Sequence, residues 1–272
     1  MIRKRFQLAA LLITASLWTV AQEPSSRIYS SKGEWVEEIS GTLAARKTVK
    51  IMSQAGPISL QGGQQNTVTY IIHKHVRARS ERDARHELAR LHIVASATGD
   101  ITSIRSETEG SRNGSMDFDV RVPMQTSLVK LETKGGAIHL DQVNGSVLAS
   151  SGGGDIGIGK AGGDVHVETG GGAIVAELSA DHGTFSDSRL ETPAGDIIVY
   201  IPAGLGVNIQ AAVEIARDAG IITDFSELQI THGNKKWGPR ETYAQGSLNG
   251  GGPVLHVHTT AGHIEFRKKS NK

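Results

Sequence analysis

The sequence predicts an all-β chain wound as a single-stranded β-solenoid with one short helix, and three observations carry that prediction. Glycine returns every nine residues, at Gly136, Gly145, Gly154, Gly163 and Gly172, and a fixed short period is the signature of stacked repeats. Within those units the third column is always Ile or Val and the fifth is always apolar, as in Gly154-Asp-Ile-Gly-Ile and Gly163-Asp-Val-His-Val. That is the alternation of a strand with one face inside. Aromatic residues make up only 4% of the chain and cysteine is absent, so the interior must be narrow, aliphatic and free of disulfides.

The first element is a leader. Arg3-Lys4-Arg5 precedes an apolar run from Leu8 to Val20 that ends in the small-residue site Thr19-Val20-Ala21, the pattern of a signal peptide over 1–21. The uncharged stretch from Phe6 to Ala21 is shorter than the ~20 residues a membrane span needs, and no second long apolar run follows, so no integral span is expected after cleavage. Removing Arg3, Lys4 and Arg5 turns the formal charge of +1 into −2. A nucleic-acid partner therefore loses its electrostatic footing.

Residues 22–33 read as a linker, 34–267 as the solenoid and 268–272 as a basic tail. The glycine signature recurs less regularly outside the nonapeptides, at Gly56-Pro-Ile-Ser-Leu, Gly99-Asp-Ile, Gly195-Asp-Ile-Ile-Val and Gly262-His-Ile-Glu-Phe. Two nonapeptides should make one turn of eighteen residues and two strands. The corner glycines are expected to supply positive φ and to leave no room for a Cβ.

One segment changes period. Ser80-Glu-Arg-Asp83 resembles a capping box, and Ala84, Leu88 and Leu91 follow at spacings of four and three, which predicts a helix over about 79–90. It should cover an open end of the solenoid, because bare strand edges template association. A second irregular stretch, Thr231 to Gln245, holds Lys235, Lys236, Trp237, Arg240 and Tyr243 between Gly and Pro residues. A cationic, aromatic loop projecting from a repetitive scaffold is the candidate binding site.

Several residues carry a further resemblance. Val122-Pro123, the run Val129-Lys-Leu-Glu-Thr-Lys-Gly-Gly136-Ala-Ile, the repeat Gly163-Asp-Val-His-Val-Glu-Thr-Gly-Gly-Gly172-Ala-Ile and the closing Leu248-Asn-Gly-Gly-Gly-Pro-Val…Thr-Thr-Ala-Gly262-His-Ile resemble the bacterial family named "putative adhesin", a domain of unknown function. The resemblance implies a β-solenoid exported to the periplasm or cell surface of a bacterium. It implies a non-enzymatic interaction or scaffold role and supplies no catalytic residues. The partner would be an envelope protein or a glycan, and solenoids could also associate edge to edge.

Other chemistries fit less well. Calcium-binding nonapeptides need an Asp in every unit at a position filled here by Ile158 and Val167, whereas Asp155 and Asp164 follow the corner glycine, where carboxylates accept backbone N–H bonds. The pairs His73/His75 and His256/His258 each share a strand face, but zinc needs a third ligand. His139 and His166 should fall on opposite sheets. A carbohydrate-active enzyme would need convergent carboxylates, for which Asp141, Lys160, Glu168 and Glu177 are the candidates, with Lys160 and Glu177 as neighbours on adjacent rungs. No cofactor and no metal are expected, leaving the carbohydrate-active enzyme and the calcium-stabilised solenoid as alternatives.

Overall fold

The computed structural model describes residues 25–31, 33–110, 114–179, 186–216, 218–233, 238 and 240–269. The expected leader, the residues Lys235, Lys236 and Trp237, and the last three residues of the tail lie outside the described residues. Apart from the helix Glu81–Leu88, the regular elements are strands, gathered into two 11-stranded sheets.

In the middle of the chain, successive strands alternate between the sheets. The first sheet takes Ile138–Val143, Ile156–Ala161 and Ile174–Leu178, and the second takes Leu128–Thr133, Ser146–Ser151 and Val165–Thr169. Neighbours within each sheet are parallel and in register at eighteen residues, as Ile138 opposite Ile156 opposite Ile174, and Val129 opposite Val147 opposite Val165. Inward positions alternate with outward ones, so Ile138, Leu140, Val147, Ile156, Val165, Val167 and Ile174 all join one buried cluster between the sheets.

The corner glycines leave no room for a Cβ, as expected, but do not supply positive φ. None of Gly136, Gly145, Gly154, Gly163 and Gly172 has positive φ. What excludes a side chain is the rung beneath: a Cβ on Gly136 would overlap the carbonyl oxygen of Gly56, one on Gly154 that of Gly136, and one on Gly172 that of Gly154. Stacking at the ~4.8 Å spacing of paired strands continues around the corner and leaves no gap for a methyl group. Gly153, one residue earlier, faces open space.

A column of buried hydroxyls ties these corners together, and sequence reading gave no hint of it. Thr133, Ser151, Thr169, Thr192 and Thr259 each donate to the carbonyl of a glycine on the neighbouring rung, Gly56, Gly136, Gly154, Gly172 and Gly195, at 2.8–3.1 Å. The same Oγ atoms accept from Gly136 N, Gly154 N and Gly172 N at 2.9–3.3 Å. A tight corner leaves backbone groups without ladder partners, and an internal hydroxyl, as both donor and acceptor, satisfies them.

The eighteen-residue register does not run in chain order from end to end. The register steps by 80 residues between Ile58 and Ile138, by 23 between Ile174 and Ile197, and by 67 between Ile197 and Ile264. The strands Ile101–Thr108 and Gly114–Pro123 stack outside Thr48–Ser53 and Ile58–Gly63, which precede them in sequence. At the other end Val254–Ala261 and Ile264–Lys268 are inserted inside Val207–Ala216 and Ile221–Thr223. Antiparallel strands finish the N-terminal end of both sheets and the far end of the second, while the far end of the first stays parallel at Ile221–Thr223, so the pairing is mixed rather than uniformly parallel.

The helix forms where its sequence predicts one and packs on the first sheet at the N-terminal end, leaving the second sheet's edge strand Leu91–Thr98 unpaired on one side. Ser80 caps it, accepting from Asp83 N at 3.2 Å and donating to Asp83 Oδ2 at 2.8 Å. Ala84 and Leu88 are fully buried, and the helix packs on Glu34–Ala44 and Thr67–Val76. Part of the expected linker is a strand: Ser25–Ser31 pairs antiparallel with Glu34–Ala44, because the latter would otherwise be a bare edge. The start of the expected tail is also tied down. Lys268 closes a strand, while Lys269 bonds Ile201 O through its backbone at 3.0 Å and Glu177 through its ammonium.

Candidate functional site

Because the middle rungs are in register, outward side chains form columns that cross the strands. Two such columns on the second sheet separate charge by sign. One runs Lys50, Lys130, Leu148, His166, Arg189, His256, Gln210 and Gln245. The next, two residues along each strand and about 6.6 Å away, runs Arg105, Met52, Glu132, Ser150, Glu168, Glu191, His258, Ala212 and Tyr243, so its acidic stretch is Glu132 to Glu191 with Arg105 beyond Met52.

Cross-strand neighbours of like charge destabilise a sheet, and alternating signs would stabilise it. Here Lys50 stands beside Lys130, and Glu168 beside Glu191. Lys50, Lys130, Glu132 and Glu168 make no ion pair among the described residues. Arg189 Nη1 bridges the columns to Glu191 Oε1 at 2.7 Å, His166 turns to Asp164 at 3.4 Å, and His258 Nε2 meets Glu214 at 3.0 Å.

Two shallow hollows follow these columns, one of about 320 Å³ from Lys130 to Arg189 and one of about 490 Å³ from Arg189 to Tyr243. They share Arg189 and Glu191, so together they make one trough across seven strands. At its far end the Tyr243 ring is 45% exposed beside the small side chain of Ala212, and its hydroxyl donates to Glu241 Oε2 at 2.7 Å. An exposed ring next to amides, imidazoles and an Arg–Glu pair offers a stacking surface together with donors and acceptors for hydroxyls. A broader hollow of about 670 Å³ at the N-terminal end of the first sheet is lined half by Ser, Thr and Gly, with Tyr70, and has Asp119 and Arg121 as its charged residues.

The predicted site residues are therefore split. Tyr243 reaches the trough, whereas Arg240 lines a separate hollow of about 570 Å³ with His232, Asp218 and Thr242. Arg240 stands three residues from Tyr243 along the strand, opposite Ala216 across a register shift, and belongs to neither column. Arg189 and Glu191 were missed. Their place beside His166 and Glu168 follows a 23-residue step that the eighteen-residue period does not contain.

The candidates for carbohydrate chemistry do not converge. Glu168 lies on the second sheet, and Asp141, Lys160 and Glu177 lie on the first, across the core. Lys160 sits at a bulge with φ of 48°, and Glu177 pairs with Lys269 rather than with Lys160. Asp155 accepts from Ala173 N at 2.8 Å, and Asp164 accepts from the Ser146 hydroxyl, so these carboxylates join adjacent rungs instead of their own turn. His139 and His166 lie on opposite sheets, as expected.

His73 and His75 share an outward face, and each ring is flanked by carboxylates: Glu38 and Asp119 at 3.5 and 3.9 Å, Glu34 and Asp117 at 3.7 and 3.4 Å. These contacts stitch three antiparallel strands together. Burial raises the Asp117 carboxyl above its ordinary value, against the opposing pull of the His75 and His73 rings. Among the described residues no three metal-ligating side chains gather into a group that could hold an ion, and no helix is long and apolar enough to cross a membrane.

No protein-family model and no curated protein matches the chain. Among solved structures it is similar to a "putative cell adhesion protein" from Clostridium sporogenes, at 12% identity and TM-score 0.46 over 91% of this chain and 100% of that one. It is also similar to a "putative adhesin" from Bacteroides fragilis, at 12% identity and TM-score 0.39 over 85% and 97%. A "putative lipid binding protein" from Parabacteroides distasonis follows, at 10% identity and TM-score 0.31 over 85% and 96%. At these identities and scores, what those names say stays with those proteins.

Proposed function

We propose that the chain is an exported, non-catalytic β-solenoid of the adhesin kind that holds an extended glycan along the outer face of its second sheet. The charge-segregated trough from Lys130 to Tyr243 carries this reading. A sheet that keeps like charges side by side gives up cross-strand stability, and a ligand lying across the strands is what would compensate. The trough runs over many rungs, which suits a polymer better than a small molecule. Its mixed donors and acceptors suit sugar hydroxyls, and Tyr243 suits the apolar face of a ring. The eighteen-residue register and the alternation of strands between sheets support the solenoid reading.

In this reading Lys235, Lys236, Trp237 and Arg240, singled out by the sequence, are a second contact for the same polymer. The test is binding of purified protein to a neutral glucan, a polyuronate and an amino-sugar polymer. One class should bind, and Arg189→Ala with Tyr243→Ala should weaken it by about tenfold or more at an unchanged melting temperature. Failure to bind any of the three, or equal binding by the double variant, would overturn the glycan reading.

A further inference from the structure

The two sheets end in four edge strands among the described residues, and three of them are guarded. Ile221–Thr223 has three residues, Gln229–His232 has four, and Ser25–Ser31 carries Arg27, which pairs with Glu38 at 3.3 Å. Short length and charge are the usual protections against strand pairing between molecules. The fourth edge is long and has no fixed charge, its one ionisable side chain being His92, 3.7 Å from Glu109. Leu91–Thr98 runs eight residues as LHIVASAT, with no Asp, Glu, Lys, Arg or Pro, and pairs with Ile101–Thr108 without a bulge.

The core beneath this edge is also unfinished. Inward residues of the middle strands are essentially inaccessible, but Ile93 and Ala95 are only partly buried against the same cluster. On the outer face Val94 and Ile101 are 38% and 47% exposed close to the edge. Backbone groups on the free side of a strand of this length need partners, and apolar side chains on both of its faces are left to cover.

We infer that Leu91–Thr98 pairs antiparallel with the same strand of a second copy, forming a dimer about a twofold axis perpendicular to the sheet. The sequence is complementary to itself in that arrangement. With Val94 on the axis, Ile93 lies opposite Ala95 of the other copy and Leu91 opposite Ala97 on the inner face, while His92 lies opposite Ser96 on the outer face. No charge meets a like charge. Such pairing joins the two second sheets into one and keeps both troughs on the same face. If the glycan reading holds, the dimer is bivalent for one polymer; the pairing itself does not depend on that reading.

The experiment is sedimentation of the purified protein over a concentration series, beside Val94→Lys, Val94→Cys and Val175→Cys. The protein should sediment at twice the chain mass, and Val94→Lys should return it to the single mass with its melting temperature and glycan binding per chain retained. The sequence has no cysteine, so the two cysteine variants report contacts cleanly. Val94→Cys should form an intermolecular disulfide on oxidation, because paired antiparallel residues lie within disulfide reach. Val175→Cys, exposed in the middle of the first sheet, should stay monomeric. A single mass at every concentration, a dimer that survives Val94→Lys, or equal crosslinking at Val175 would overturn the inference.

Discussion

The regular middle of the two sheets and their N-terminal end use the same kind of strand but hold it by different means. From Ser146 to Leu178 each strand rests on the one eighteen residues before it, with Gly154 over Gly136, Gly172 over Gly154 and a buried hydroxyl reaching the corner carbonyl of its neighbour. Around Glu34–Ala44, Thr67–Val76 and Gly114–Pro123 the pairing turns antiparallel and side-chain charge takes over. Lys74, 7% exposed, meets Glu37 at 2.9 Å on the inner face, while His73 and His75 bridge carboxylates outside. A repeat propagates because every rung offers the next the same surface, and for that reason it cannot terminate itself. The end needs elements that offer a different surface, here the helix and the antiparallel strands.

The comparison breaks most sharply at a corner. Gly154→Ala puts a methyl group into the Gly136 carbonyl, whereas Gly153→Ala meets nothing within 4 Å. The first should cost about 4 kcal/mol or more, and the second should stay within about 0.5 kcal/mol. Urea unfolding of the pair checks this; equal stabilities would mean that the corners can open without penalty.

At the other region, Leu88→Ala empties a fully buried site under the helix and should cost about 3 kcal/mol. Hydrogen exchange should localise the loss of protection to Thr67–Val76 and leave Val147 and Val165 unaffected. Protection lost evenly along the chain would show the two regions to be one cooperative unit.

Thr169→Val tests the hydroxyl column with little change of shape. It leaves the Gly154 carbonyl without its donor and Gly172 N without its acceptor, and should cost about 2 kcal/mol, while Thr169→Ser should recover most of that. No difference between the two variants would assign the column's contribution to packing alone.

The smallest effect concerns the charge network. The folded Asp117 carboxyl holds its proton more readily than the unfolded chain does. Its contribution to stability is therefore present at pH below the ordinary Asp value of ~3.9 and is lost as pH rises through the folded value. Asp117→Asn removes this titration. Its stability relative to the parent should rise across that interval and then level off, read from thermal melts at a series of pH values. A relative stability that falls over the same interval would reverse the assignment.

Much of the repeating part was legible from particular residues. The Ile/Val column at Ile138, Val147, Ile156, Val165 and Ile174 dictated strands with one buried face, and the nine-residue spacing dictated the eighteen-residue register. Ser80 and Asp83 announced the helix, and Ala84 and Leu88 its buried side. These are local facts, since a period and a cap are written within a few residues of where they act.

The order of the rungs was not legible. A parallel rung can pair with any other of the same shape, so nothing local tells Ile101–Thr108 to stack outside Thr48–Ser53, or Val254–Ala261 to insert inside Val207–Ala216. The trough depends on that order. Arg189 meets His166 across 23 residues and His256 across 67, and Tyr243 joins the acidic column through Ala212. The sequence by itself determined the strand, its period and its inward face, because these follow from the spacing of side chains along one segment. Which rungs are neighbours, and so which side chains share a column, was decided only by tertiary packing, where segments far apart in the chain compete for the same hydrogen-bonding edge.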